Sequence, residues 1–396
     1  MKVLTPMTLA DLRLRNRVIK TATFEGMSPG GVPSQQLIEH HAALARGGVG
    51  MTTLAYCAVS PHGRTFGDQL VMSAELVPQL RRLTEAVHAH GAAASIQLGH
   101  CGGFSKDLEQ RELSPPGPLG PSRAINLYGV LSGLVWTKPM GVAELDAVVE
   151  QFAVAAARAI EAGFDAIELH LGHGYLLSQF LSPALNRRRD EYGGSLDNRL
   201  RLPLRVVRAV REAVGVGVPI LCKINLRDDI PGGLELDEAV AIAQALEREG
   251  VDALVLSGGI VSKSAFYLLR GDRPLREMIA VEKKSMQRMA LRVFGRQVIK
   301  AHPFEELFFL PLAREVRAAV SMPLCLLGGI VSRDNLETAM AEGFELVAMG
   351  RALLENPNFI SELEAGSLTR SACTHCNVCV AEMDRGGVRC VLPQPR

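Results

Sequence analysis

Two histidines stand three residues apart in HLGHGYLLSQFLSPALNRRRDEYGGS, residues 170–195, and a tyrosine follows at position 175. Imidazoles at this spacing can hold a metal, move a proton or donate hydrogen bonds to a substrate oxygen. A phenol with an ordinary pKa near ~10 stays protonated at neutral pH and can give up a proton. The metal reading needs a third ligand, and Glu168 is the nearest carboxylate. On a strand Glu168 and His170 share one side, while His173 lies beyond a glycine, and no fourth ligand is close in sequence.

Other polar residues fall where apolar runs end. They are Thr21 and Thr23, Gln97, Lys223 with Asn225, Gly328-Gly329, and Gly350-Arg351. Glycines that lead into a helix expose backbone N–H groups to an anion, and an arginine adds a bidentate charged contact. Each residue alone has a plain structural reading. Gln97 could be a satisfied buried amide, Lys223 the partner of Glu168 or Asp228, and Gly328-Gly329 a tight turn.

The elements that must position these residues recur. EAGFDAIEL (161–169), REGVDALVL (248–256) and AEGFELVAM (341–349) each read as a helix end closed by glycine, an apolar residue, an acid and a short apolar strand. Such strands suit a parallel sheet covered on both faces. Eight are expected: 17–23, 51–57, 92–98, 165–170, 219–225, 252–257, 323–328 and 345–350. Helical patterns lie between most, the clearest with Leu145, Val148, Val149, Phe152, Ala156 and Ile160 at helical spacing. The expectation is an α/β chain forming a (β/α)8 TIM barrel over residues 1–365, followed by a short Cys-rich tail over 366–396. A doubly wound sheet is the rival, and no G-x-G-x-x-G follows any strand. Two long connections, 99–143 and 258–304, leave the C-terminal ends of strands three and six, where barrel enzymes keep their chemistry.

The 396 residues are 47% hydrophobic and 21% charged with a formal net charge of +1, which gives no reason to expect nucleic acid as a partner. No run approaches the roughly 18 apolar residues of a membrane span, and the N-terminal stretch has no signal-peptide core. A cytoplasmic protein is expected. Cys57, Cys101, Cys222 and Cys325 are scattered and read as small buried hydrophobes. Cys373, Cys376, Cys379 and Cys390 crowd the last 24 residues, and in a reducing compartment such a cluster points to metal more than to disulfides.

The 170–195 stretch, with IQLGHCGG upstream and LLGGI…AMGRALLENP downstream, resembles the old yellow enzyme family of FMN-dependent oxidoreductases over about residues 1–360. The resemblance implies FMN bound without a covalent bond at the top of the barrel. Thr21, Ala22 and Thr23 would line the flavin edge, with Tyr56 beside it. Gln97 would bond the pyrimidine part, and Lys223 would stand where negative charge collects on reduction. Gly328, Gly329, Gly350 and Arg351 would hold the phosphate. His170 and His173 would donate to the carbonyl of a stacked activated alkene. Hydride would pass from flavin N5 to its β carbon, and a proton would come from Tyr175 or water. The implied activity is NAD(P)H-dependent reduction of an enone or enoyl thioester. Amine oxidation, a Schiff-base lyase on Lys223 and a non-catalytic electron carrier are the rivals.

The tail, C-x2-C-x2-C-x10-C, is similar to the iron-sulfur branch around 2,4-dienoyl-CoA reductase, whose cluster lies between FMN and an FAD domain. Its spacing is one residue shorter in two places, so [4Fe-4S], tetrahedral zinc and no metal all stay open, with His375 as a spare ligand. No FAD domain is expected to follow, so NAD(P)H would reduce FMN directly, or another protein would deliver electrons, or the cysteines would be structural or empty. A homo-oligomer is expected. Three further departures are Phe24 where relatives carry Cys, Thr or His, the unplaced Lys20 inside strand one, and Leu171-Gly172 between the histidines. Loop 258–304, with Lys283, Lys284, Arg288, Arg292 and Arg296, is either a lid over an anionic substrate such as a CoA ester or a solvated charged helix.

Overall fold

A computed structural model describes residues 1–392. A hairpin of β1 (Met7–Leu9) and β2 (Leu12–Leu14) opens the chain. The expected eight strands then follow as β3 (Val18–Lys20), β4 (Met51–Ala58), β5 (Ala93–Gly99), β9 (Ala166–Leu171), β10 (Ile220–Asn225), β11 (Ala253–Ser257), β12 (Leu324–Leu327) and β13 (Leu346–Met349). They close into a parallel barrel in the order β3-β4-β5-β9-β10-β11-β12-β13 and back to β3. This is the (β/α)8 fold. The first strand is shorter than the expected 17–23, and Thr21–Thr23 leave it as irregular chain at the rim.

The intervening strands β6 (Leu119–Gly120), β7 (Ala124–Ile125) and β8 (Trp136–Pro139) form a small separate sheet inside connection 99–143. Helices α1 (Gln35–Arg46), α2 (Val77–His88), α3 (Val142–Glu161), α5 (Leu196–Val214), α6 (Leu236–Arg248), α10 (Leu310–Ala319) and α11 (Arg333–Ala341) fill the loops between barrel strands. A short α4 (Leu176–Leu181) follows β9, and α7 (Val261–Leu268), α8 (Leu275–Val281) and α9 (Ser285–Val298) occupy connection 258–304. After β13 come α12 (Arg351–Glu355), α13 (Phe359–Glu364) and α14 (Val378–Glu382). Helix α3 buries Leu145, Val148, Phe152 and Ala156 as its spacing predicts. The repeated glycines Gly163, Gly250 and Gly343 all take positive φ, the left-handed turn that ends a helix and that other residues enter at a cost.

Alternation along the strands sorts the barrel interior into layers. Ile19, Met51, Ala93, Ala166, Leu221, Ala253 and Leu346 make an apolar floor, on which Leu9 and Leu14 of the hairpin pack. Two residues further along the same faces stand Glu168 and Lys223, and Gln97 pairs in register with Glu168. His170, Asn225 and Ser257 follow at the C-terminal rim. The fold thus sets a polar layer on an apolar plug, and the outward strand faces supply the helix-packed core.

Candidate functional site

The polar layer is a closed network. Glu168 Oε1 accepts from Lys223 Nζ at 2.8 Å and from Gln97 Nε2 at 2.6 Å, and Lys223 also donates to Thr21 Oγ1 at 3.2 Å. All three charged or amide side chains are buried. The pairing fixes the open readings of these residues. Glu168 is engaged away from the histidines, so it is no third ligand for a metal there. The Lys223 amine is held as an ion pair, which opposes a Schiff-base role that needs its lone pair free.

Above this layer stand the two histidines. The Gly172 N–H donates to His170 Nδ1 at 3.3 Å, which leaves the ring proton of the neutral imidazole on Nε2. Burial, then His173 and Lys223, hold His170 well below its ordinary pKa, so it is neutral. His173 takes a positive φ of 62°, a strained backbone for a non-glycine residue. Its N–H donates to Asn225 Oδ1 at 2.9 Å, and Nε2 lies 2.7 Å from Ser257 Oγ. Asn225 is itself tied to Asp228 and the Gly259 carbonyl. With Ser257 as donor the ring proton of His173 sits on Nδ1, and with Ser257 as acceptor it sits on Nε2. Burial, then Lys223, bring His173 to about 3, so it too is neutral. Asn225 and Ser257 complete the positioning. Ser257 went unremarked in the sequence, although it ends a strand as the others do.

Tyr175 lies 4.5 Å from His170 and 4.7 Å from Tyr56, ring centre to ring centre. Burial, then Tyr128 and Cys101, push its pKa above the ordinary value the sequence reading assumed, so it holds its proton still more firmly. Tyr56 donates to the Gly63 carbonyl at 3.0 Å.

Two adjoining cavities gather every expected cofactor and catalytic residue. One, of about 210 Å³, is lined by Tyr56, Gln97, His170 and Tyr175. The other, of about 80 Å³, is lined by Thr21, Lys223, Gly328 and Gly329. Ala22, Thr23, His173, Gly350 and Arg351 line both. Gly328 and Gly329 have φ of 102° and 73°, and a Cβ on Gly329 would meet the Glu305 carbonyl oxygen at 2.5 Å. Only glycines allow this turn, and it presents backbone rather than side chains to the cavity. The residues therefore suit a flat ring over the polar layer with an anion at the glycines.

Arg351 departs from a purely phosphate-facing role. Its Nη1 donates to the Arg270 carbonyl at 2.8 Å and to Asn377 Oδ1 at 2.6 Å. Asn377 in turn donates to the Leu269 and Asp272 carbonyls. Buried Asn377 so ties the tail to connection 258–304 and to Arg351. His375 stacks on Phe304 at 3.4 Å, and both line the glycine cavity. It faces that cavity and is absent from the one the cysteines line.

Cys373, Cys376, Cys379 and Cys390 line one small cavity with Arg351. All four are free thiols, and burial, partly offset by Arg351, raises Cys379 to about 11. Among the described residues, no three His, Cys, Asp or Glu side chains are grouped so as to hold a metal ion. The donor types suit a four-thiolate group, but their placement is not that of a closed ligand shell.

The unplaced Lys20 is resolved. It points out of the barrel and is buried, with Nζ 2.5 Å from Glu25 Oε1, and His41 Nε2 stands 3.5 Å from the same oxygen. Phe24 packs edge-on against Phe66 at 4.7 Å and lines the larger of the two site cavities.

Residues 2–265 match the profile of the NADH:flavin oxidoreductase / NADH oxidase family. The chain belongs to that family. This family member is 47% identical over 391 residues to a 4,4'-dithiodibutanoate disulfide reductase of Rhodococcus erythropolis, covering 98% of the chain and 94% of that protein. It is 31% identical to an NADH oxidase of Thermoanaerobacter brockii, covering 93% of the chain and about half, 52%, of that protein. An old yellow enzyme homologue from Zymomonas mobilis shares the fold, with a TM-score of 0.71 and 18% identity over 95% of the chain and 96% of that structure. The chain is an FMN-dependent oxidoreductase of the type that works with NAD(P)H. Among the described residues no helix is long and apolar enough to cross a membrane.

Proposed function

We propose that the protein uses NAD(P)H to reduce the C=C bond of an acceptor activated by a carbonyl. One observation carries this reading. The His170 Nδ1 is taken by a backbone N–H, so a neutral Nε2–H is left beside a protonated Tyr175 in one cavity. Bound FMN, reduced by NAD(P)H, supplies hydride at its N5. His170 and His173 orient and polarise the acceptor oxygen without adding a charge to it. Tyr175 holds the proton due at the α carbon. Lys223, fixed by Glu168, would supply the cation that steadies negative charge on the reduced ring. Gly328, Gly329, Gly350 and Arg351 would hold the phosphate, and His375 lines the same cavity.

A second reading rests on the relative at 47% identity. Reduction of an organic disulfide, RSSR + NAD(P)H + H+ to two RSH and NAD(P)+, needs the same hydride source and one proton donor. Tyr175 would protonate the departing thiolate. Anaerobic NADH or NADPH should bleach the flavin of the purified protein, and an α,β-unsaturated ketone should restore its colour. His170→Ala with His173→Ala should keep FMN and its bleaching but slow the return. A flavin recoloured by disulfide and untouched by the ketone replaces the first reading with the second. A flavin that neither NADH nor NADPH bleaches overturns both.

For the tail, we propose that Cys373, Cys376, Cys379 and Cys390 bind an iron-sulfur cluster or zinc. The support is their common cavity beside Arg351. Metal analysis of anaerobically purified protein tests it, and neither iron nor zinc above trace would end it.

A further inference from the structure

A third cleft, of about 520 Å³, opens next to Gly174 and so beside Tyr175. Three long connections build it: the β6–β8 sheet, the turn at 184–187, and the start of α7. Its walls are apolar, with Phe104, Ile125, Leu127, Trp136 and Leu185. Ile125, Leu127 and Trp136 are exposed, Trp136 by 50%. Its only charged lining residues are Arg123, Arg187 and Lys263, and no Asp or Glu lines it. Among the described residues no ion pair is recorded for any of these three cations, whereas Arg188 next to Arg187 pairs with Asp190. The rim is also fixed. Arg123 lies 4.9 Å over the Trp136 ring, and the Arg187 N–H donates to Ser122 Oγ at 2.8 Å. The larger cleft, of about 860 Å³, sets Lys106, Lys283, Lys284 and Arg385 against Asp68, Glu282 and Asp384. The cleft next to Gly174 has no carboxylate in its lining to set against its three cations.

We propose that this cleft binds a carboxylate-bearing aliphatic tail of the acceptor, the reacting end of which lies at Tyr175. The placement of that reacting end rests on the function proposed above. Apolar walls take methylene groups out of water, and cations at the rim meet the carboxylate oxygens. A nucleotide phosphate carries an oxyanion too, but Arg123 already covers one face of Trp136 and aliphatic Ile125, Leu127 and Leu185 line the wall, which favours a methylene chain over a stacked base. Carboxylate acceptors are therefore the substrate class, and a neutral acceptor of the same skeleton binds less well.

Trp136 is the chain's only tryptophan, so its emission reports on the cleft without any turnover. The FMN-loaded protein is titrated with adipate, and Arg123→Gln/Arg187→Gln/Lys263→Gln is compared with it. Wild type should give a saturable change that the triple variant and high salt abolish. In turnover, the triple variant should raise KM about tenfold for a carboxylate acceptor, the combined effect of three partly exposed charges. KM for the methyl ester of the same acceptor, and for NAD(P)H, should not move. No emission change in wild type overturns the proposal whatever the enzyme reduces. A rise in KM for NAD(P)H in place of the acceptor also overturns it, since the cleft would then hold the nucleotide. Failure to turn over any acceptor, with adipate binding intact, counts against the proposed reaction and leaves the cleft assignment standing.

Discussion

Lys223→Met separates the structural from the electrostatic duty of the polar layer. The substitution keeps the volume of the stem and removes the cation 2.8 Å from Glu168 Oε1. Both partners are buried to within a few per cent, so no water replaces the lost ammonium. A buried carboxylate left without its partner costs about 3–5 kcal/mol. For a chain of 396 residues this lowers the melting temperature by roughly 4–6 °C, taking the usual unfolding entropy per residue. Adding Glu168→Gln removes the stranded charge and keeps an acceptor for Gln97. The double variant should therefore recover to within about 1–2 kcal/mol of wild type, because a neutral hydrogen bond replaces the ion pair. Urea unfolding of the apoprotein measures both. The flavin potential of the holoproteins should behave differently. Both variants lack the cation proposed to face the reduced ring, so both should be harder to reduce. A single variant as stable as wild type, or a double variant less stable than the single one, refutes the pairing argument. A double variant with unchanged potential refutes the placement of Lys223 under the flavin.

Tyr175→Phe should slow alkene reduction by about 10²–10⁴, the usual worth of a positioned acid, and leave flavin bleaching by NAD(P)H intact, as single-turnover kinetics would show. Stability should fall on acidification below pH 6.5. His100 and His173 are each lowered to about 3 in the folded state, chiefly by burial, so the unfolded chain takes up their protons first. Each then removes stability at a rate approaching about 1.4 kcal/mol per pH unit between 6.5 and 3, read as a lower urea midpoint at pH 5.5 than at 7.5. Asn377→Ala should loosen Arg351 and release FMN more readily, because it deletes the bond to Nη1 and two bonds to connection 258–304. Equilibrium dialysis of FMN checks it, and unchanged retention would show that the tail does not steady the cofactor site.

What the sequence made legible follows from how local the cause was. Eight apolar runs bounded by glycine and polar residues are a local signal, and each became a barrel strand within a few residues of its expected limits. That the candidate site residues come together was legible because a parallel barrel turns strand ends into neighbours. Once the runs were placed, Gln97, His170 and Lys223 had to share the C-terminal half of one barrel interior. The partner choices were less accessible. Glu168 could have served a metal or Lys223, and only the register of β9 against β10 and β5 decides between them. Lys20 could not be placed because its partner, Glu25, lies beyond the strand in chain that bends back under α1, and no periodicity announces such a bend.

The same reasoning explains why the tail was the least readable part. Its cysteine spacing announces a ligand set, yet that spacing says nothing of what the residues between the thiols do. Asn377 sits there with a left-handed backbone, φ 58°, and both ends of its amide engaged. His375, also left-handed at φ 60°, turns its ring onto Phe304 and into the glycine cavity. Strained positions of this kind persist only where the surroundings over-determine them. Here the surroundings are Arg351 and connection 258–304. A group held by the four thiols would thus bear on the same arginine that borders the phosphate glycines. Arg351 is the one charged side chain lining the thiol cavity and both site cavities, so it is the group through which a change in charge at the thiols would reach a bound flavin.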